Sequence, residues 1–166
     1  NDGVFEGCSG LTAVSLPDGL TTIYQRAFAK CTSLEGVYLP DSITTMYAEV
    51  FNGCKSLAKV NYPLSWEKKG SVSANYNSPF YNCESLKTIT VPEGVTFIPE
   101  NAFRSAEFFE EIILPSTLKK FEPSAMRWCR ALKSIALPDG LTTIELPKGV
   151  TKISARTFYG CDNLKT

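Results

Sequence analysis

Histidine is absent from the 166 residues. A Ser-His-Asp or Cys-His arrangement cannot be built without it, nor can a zinc site that uses imidazole, and the commonest general base near neutral pH is missing. Chemistry by Glu, Asp, Lys, Tyr or Cys stays open. Net charge is absent as well: seventeen Lys+Arg balance seventeen Asp+Glu, which argues against nucleic acid, whose phosphates are met by a basic face. No apolar run approaches the roughly 18 residues that a membrane-spanning helix needs, so no span is expected in this chain. No Gly-rich phosphate loop, CxxC or HExxH pattern occurs. The chain opens at Asn1 with neither an initiator Met nor a charged-then-apolar leader; it reads as a processed chain or a segment.

What is present is repetition. Hydrophobic content of 43% with 20% charged residues describes a chain able to bury a core. Cysteines fall at 8, 31, 54, 83, 129 and 161, with Ala106 in the same slot between the fourth and fifth. The steps are 23, 23, 29, 23, 23 and 32 residues, a base period of 23 with insertions of six and nine. Three residues before the slot stand Phe5, Phe28, Phe51, Phe80, Phe103, Met126 and Phe158; three after it stand Leu11, Leu34, Leu57, Leu86, Phe109, Leu132 and Leu164. Val or Ile follows at six (Val14, Val37, Val60, Ile89, Ile112, Ile135), and proline at nine (Pro17, Pro40, Pro63, Pro92, Pro115, Pro138). A fixed period in the low twenties is the signature of a solenoid.

Each part of the period has a physical reading. Val14-x-Leu16 alternates as a strand with one face buried. Pro17 ends it, having no N–H for a ladder, and Pro17-Asp18-Gly19 supplies turn chemistry. Leu20-x-x-Ile23 reads as a second short extended piece, and the spacing of three in Phe28, Cys31 and Leu34 predicts one helical or 3₁₀ turn. One such coil cannot close its own apolar layer; stacked coils bury it and pair their strands in parallel. A single solenoid domain over 1–166 is expected, with about six 23-residue repeats cut at both ends.

Two stretches break the rhythm. In 64–79, LSWEKKGSVSANYNSP, the Leu-x-x-Ile corner is missing and six residues are added, with Trp66 and Tyr76 among polar neighbours. It reads as a tolerated outer loop or as a protruding binding loop with aromatic anchors. The second break lies at 137–145, LPDGLTTIE, which is nearly duplicated by LPKGVTKIS. A slipped duplication explains it without assigning a role.

The pattern Leu-x-x-Ile-x-Leu-Pro-x-x-Leu-x-x-Ile-x-x-x-Ala-Phe-x-x-Cys, seen in LKTITVPEGVTFIPENAF (86–103) and LKSIALPDGLTTI (132–144), resembles the BspA-like leucine-rich repeats. That resemblance implies an α/β leucine-rich repeat solenoid, right-handed and curved, with its parallel sheet on the concave face. It also implies export to the surface of host-associated microbes and, in characterised relatives, binding to host or matrix proteins. The family has no shared catalytic residues to carry over. Ala106, Met126 and the missing corner depart from the pattern in single coils.

Six cysteines in one repeat slot form a core column, so free, buried, unreactive thiols are expected rather than disulfides. A linear column does not converge on a tetrahedral metal site, and no cofactor is expected. The outward strand positions are mostly small or hydroxylated. On the concave face Tyr38, Lys59, Asn61, Glu111 and Ile113 offer the contact area and charge a partner would use. With Trp66 and Tyr76 they are the candidate binding residues for a protein or glycan. Glu107, Glu110 and Glu111 read as a solvated face, not as a paired acid and base. The functional expectation is a non-enzymatic interaction module of a surface protein; the alternative is a spacer without a ligand of its own.

Overall fold

The computed structural model describes residues 2–67, 71–73, 78–136, 151–153 and 155–163. Its strands are very short: β1 (Ala13–Val14), β2 (Thr22–Ile23), β3 (Gly36–Val37), β4 (Thr45–Tyr47), β5 (Lys59–Val60), β6 (Ser71–Ser73), β7 (Thr88–Thr90), β8 (Phe97–Ile98), β9 (Glu111–Ile113), β10 (Lys120–Phe121), β11 (Ser134–Ala136) and β12 (Lys152–Ile153). Every pairing is parallel and joins strands one coil apart. Odd-numbered strands build one face of a β-solenoid and even-numbered strands a second. The 23-residue step is visible in the register, with Ala13, Gly36 and Lys59 abreast, and Thr88, Glu111 and Ser134 abreast.

The sequence explains each corner. Val37, Ile89, Ile112 and Ile135 point inward from the first face and are buried, as β-branched side chains on a half-buried strand should be. The proline that follows offers its carbonyl to the N–H three residues on: Leu20 to Pro17 and Ile43 to Pro40 at 3.0 Å, Leu118 to Pro115 at 3.2 Å. That turn swings the chain into the second strand.

The third face differs from expectation. The Phe-x-x-Cys segment is not helical. It runs as successive four-residue turns, such as Ala29 N–H to Arg26 C=O at 2.9 Å and Cys31 N–H to Phe28 C=O at 3.2 Å. Left-handed residues interrupt any helix at two slots per coil: Gly3 and Gly7, Arg26 and Lys30, Glu49 and Gly53, Asn101 and Ser105, Ser124 and Trp128, Arg156 and Gly160. A residue with positive φ cannot continue an α-helix. Instead this face carries a backbone ladder of its own, with Phe28 N–H on Val50 C=O, Phe51 N–H on Pro79 C=O and Phe103 N–H on Ala125 C=O at 2.8–2.9 Å.

The core is a set of columns. Phe5, Phe28, Phe51, Phe80 and Phe103 stack in a row with centroids 5.2, 5.5, 6.0 and 6.2 Å apart. Beside them runs the cysteine column, and the reason for cysteine there is legible. Each thiol donates to the carbonyl of the aromatic or Met one coil back: Cys31 to Phe5, Cys54 to Phe28, Cys83 to Phe51, Cys129 to Phe103 and Cys161 to Met126, at 3.0–3.2 Å. A small apolar side chain with one weak donor fits a dry layer with a spare carbonyl. All six are free thiols, but they are not uniformly buried as expected: Cys8 is exposed and Cys161 half-buried.

Candidate interaction site at a seam between coils

The stack has one discontinuity among the described residues, and it coincides with the first insertion. The odd strands form two sheets, β1-β3-β5 and β7-β9-β11; the even strands form β2-β4-β6 and β8-β10-β12. β5 is not paired with β7, nor β6 with β8. Elsewhere on the first face a fixed bond links neighbouring coils: Glu35 N–H to Thr12 C=O, Ala58 to Glu35, Glu110 to Lys87 and Lys133 to Glu110, at 2.8–3.1 Å. The corresponding bond from Lys87 to Ala58 does not form. On the third face Phe80 N–H does not reach Ala102 and turns instead to the Ser78 hydroxyl at 3.3 Å.

One backbone bond, Ser78 N–H on Arg104 C=O at 2.8 Å, and aromatic packing bridge the gap. Tyr62 and Trp66 meet edge to face at 5.2 Å, and both pack on Phe103 across the seam, at 6.4 and 6.5 Å. Phe80 touches Phe103 and Phe109 in the same way. Such contacts hold side chains together without fixing strand register.

The first turn of the insertion at this point, residues 64–67, does not protrude as its polarity suggests. Leu64–Glu67 forms a 3₁₀ turn that docks on the preceding coil: Leu64 N–H binds the Asp41 carboxylate at 3.0 Å and the Ser65 hydroxyl donates to Ile43 C=O. Trp66 is fully buried, and its indole N–H has no hydrogen-bond partner among the described residues. It is therefore a core wedge and not an exposed anchor, because turning the chain inward at Leu64 carries the next large apolar side chain into the layer. The corner thought missing is supplied by β6, whose Val72 pairs with Met46, 26 residues on instead of 23. Half of the six extra residues thus precede β6. Tyr76 and the 137–145 duplication lie outside the described residues.

An open cleft of about 690 Å³ sits where the first face divides, walled by Tyr38, Lys59, Val60, Asn61 and Tyr62 on one side and by Thr88, Thr90 and Pro92 on the other. A second, of about 560 Å³, lies beside it between Ala13, Gly36 and Ser85 and shares Lys59. Tyr38 is 66% exposed. Lys59 is exposed and enters no ion pair among the described residues. Val60 is half-buried where Val37 and Ile89 on the two flanking coils are closed over, so the seam uncovers an apolar floor.

The other candidates are not brought together with these. Asn61 lines the cleft, but its amide accepts from Leu39 N–H at 2.7 Å and donates to Leu39 C=O at 2.9 Å, so its polar atoms are already engaged. Glu111 and Ile113 are half-buried on β9 and do not line the cleft. The acidic run is divided. Glu110 joins Lys133 at 2.6 Å and Lys87 at 3.5 Å, and those two lysines, Lys133 first, hold its carboxyl below the usual range. Val60, Tyr62, Thr88 and Thr90 were not singled out from sequence; the 29-residue step between Cys54 and Cys83 is the signal that marks their neighbourhood.

A coil of parallel strands, prolines at fixed corners and stacked Phe and Cys columns defines a leucine-rich repeat solenoid. The BspA type leucine rich repeat region model matches six copies in residues 1–73 and 139–166, more than half of the chain. The chain belongs to that family. Among solved structures it resembles a leucine rich cell surface protein from Faecalibacterium prausnitzii, 32% identical over 76% of this chain with a TM-score of 0.55. It spans about a third (32%) of that protein's length. The leucine-rich repeat protein of T. pallidum is 28% identical, with 99% of this chain and 70% of that one covered and a TM-score of 0.69. A leucine-rich repeat protein from Eubacterium ventriosum, 22% identical over 93% of this chain and 44% of its own, with a TM-score of 0.64, shares the fold. No curated protein matches significantly. Among the described residues no helix is long and apolar enough to cross a membrane.

Proposed function

We propose that this chain is a protein-interaction segment of a cell-surface protein, and that it holds its partner on the face built by the odd-numbered strands, the concave face of a right-handed curved coil. One observation carries this: exposed Tyr38 and Lys59, which has no ion-pair partner among the described residues, share an open cleft above a half-uncovered Val60. An aromatic side chain, a cation and an apolar floor are what a contact region uses. The family typically mediates protein interaction, and the surface location of the F. prausnitzii relative supports display outside the cell. Adhesion to host or matrix proteins is the form of the activity we favour over glycan binding, because the half-uncovered Val60 floor beside exposed Tyr38 suits the apolar side chains of a protein.

A ligand-free spacer is the second reading, favoured by the small outward side chains Ala13, Gly36, Thr88, Thr90 and Ser134. Interferometry of the immobilised chain against a panel of purified matrix proteins and glycans separates the two. Binding that falls at least tenfold in the Tyr38→Ala/Lys59→Glu double variant supports the cleft. Binding unchanged by it moves the site elsewhere, and no binding to any member favours the spacer.

A further inference from the structure

The seam leaves main-chain groups without their usual partners, and this deepens the reading above, on which it rests. In four other coil pairs the N–H four residues past the cysteine slot crosses to the carbonyl of the coil before it; at the seam Lys87 N–H and Ala58 C=O face solvent-exposed surroundings without each other. On either side stand strand edges, β5 and β7, that end their sheets. Unpaired strand edges recognise extended backbone, whatever its sequence, and the side chains around them select among sequences.

We infer that the seam accepts an extended peptide strand carrying an acidic residue, which bonds to Ala58 C=O and Lys87 N–H and sets its carboxylate against Lys59. The side chains give the selectivity. Lys59 has bare Gly36 on its β3 side, so no side chain there competes for its ammonium. A strand laid on the other side of β5 places an outward residue beside it. The solenoid already joins a lysine to a glutamate of the neighbouring coil one position earlier in the repeat, at Lys133 and Glu110, 2.6 Å apart. Tyr38 at the cleft edge and Val60 beneath it cover the apolar neighbours of that acidic residue. The cleft's volume, about 690 Å³, falls within the roughly 300–1,000 Å³ typical of ligand clefts.

The probe is an end-capped synthetic peptide with the sequence of residues 109–115, FEEIILP, which is strand-forming and puts a Glu at the register of Lys59. We expect saturable binding, with the Lys87 amide exchanging at least tenfold more slowly on titration, followed by NMR. N-methylation of the peptide at its first Glu, whose N–H is the one that crosses to the preceding coil's carbonyl in the intact ladder, or Lys59→Glu in the protein, weakens binding at least tenfold. Binding that survives N-methylation, or protection that falls on β1 instead of Lys87, overturns strand insertion. So does no binding at all. Each of these leaves the Tyr38-dependent partner test to stand or fall by itself.

Discussion

Trp128 lays its ring over the bare α-carbon of Gly160, one coil further on: a Cβ at 160 would stand 2.3 Å from Trp128 Cε3. Tyr159 meets the same indole edge to face at 5.0 Å, and Arg127 and Arg130 lie over its ring at 5.6 and 5.4 Å. Both Trp128 and Gly160 sit in the left-handed slot before the cysteine, with φ of 64° and 77°. Glycine at 160 is thus required twice, by its own dihedral and by its neighbour's ring.

Gly160→Ala should therefore destabilise the chain by roughly 1–3 kcal/mol, through overpacking and left-handed strain. Urea unfolding of Gly160→Ala, Trp128→Ala and the double variant checks it. The double variant should cost less than the two single changes added, because removing the ring leaves room for the methyl.

Trp66 gives the sharpest contrast between a loop residue and a core residue. Trp66→Ala should cost about 3–5 kcal/mol, as a large buried aromatic does. Trp66→Phe should cost far less, since the indole N–H has no partner among the described residues to lose. Thermal unfolding of the two variants decides; a melting temperature unmoved by Trp66→Ala would return this side chain to the surface.

Much of the architecture was readable because its signals recur. Val or Ile, then Leu, Val or Tyr two residues on, then Pro marks a strand and its corner six times over, and the Phe column follows from one slot. The third face was misread because Phe28, Cys31 and Leu34, spaced by three, suit a helical turn and a run of left-handed turns equally. Gly3, Gly7, Gly53 and Gly160, with Asn82 and Asn101, carried the distinction, since glycine and asparagine tolerate positive φ best. Around the seam, the 29-residue step located the irregularity but not its consequence. A polar stretch of loop composition hid Trp66, and Tyr62 in a slot otherwise held by Leu or Val was the only hint that an aromatic layer replaces the ladder there.

Asn61 should prove to be a scaffold residue and not a contact. Its amide extends the β3–β5 pairing by one position, serving both the N–H and the C=O of Leu39. Asn61→Ala should cost about 1–2 kcal/mol. Asn61→Asp should cost more, because a carboxylate keeps the acceptor, loses the donor and faces the Leu39 carbonyl. Hydrogen exchange at Leu39 N–H should speed up in both variants, while a change that alters partner affinity and leaves that amide protected would assign Asn61 to recognition instead.

The thiol column predicts how stability falls in alkali. Burial, and then the neighbouring Cys31, pushes the Cys54 thiol up to about 12; burial first, then Cys54, drives Cys83 well up, and burial first does the same for Cys129. An unfolded thiol titrates near about 8.5, so the folded state holds protons that the unfolded state releases. The stabilising term is present in full below that value and is lost as pH rises toward about 12. Between these limits the free energy of unfolding should decline with pH, and the decline should be shallower in Cys54→Ala, which removes one such group and leaves tyrosines and lysines as they were. Equal slopes for the two proteins in denaturant titrations at pH 8 and pH 10.5 would show that the column is wetter than its geometry implies. At pH 8 iodoacetamide should modify exposed Cys8 first and reach Cys54, Cys83 and Cys129 only on unfolding, since the thiolate that reacts is the species burial disfavours.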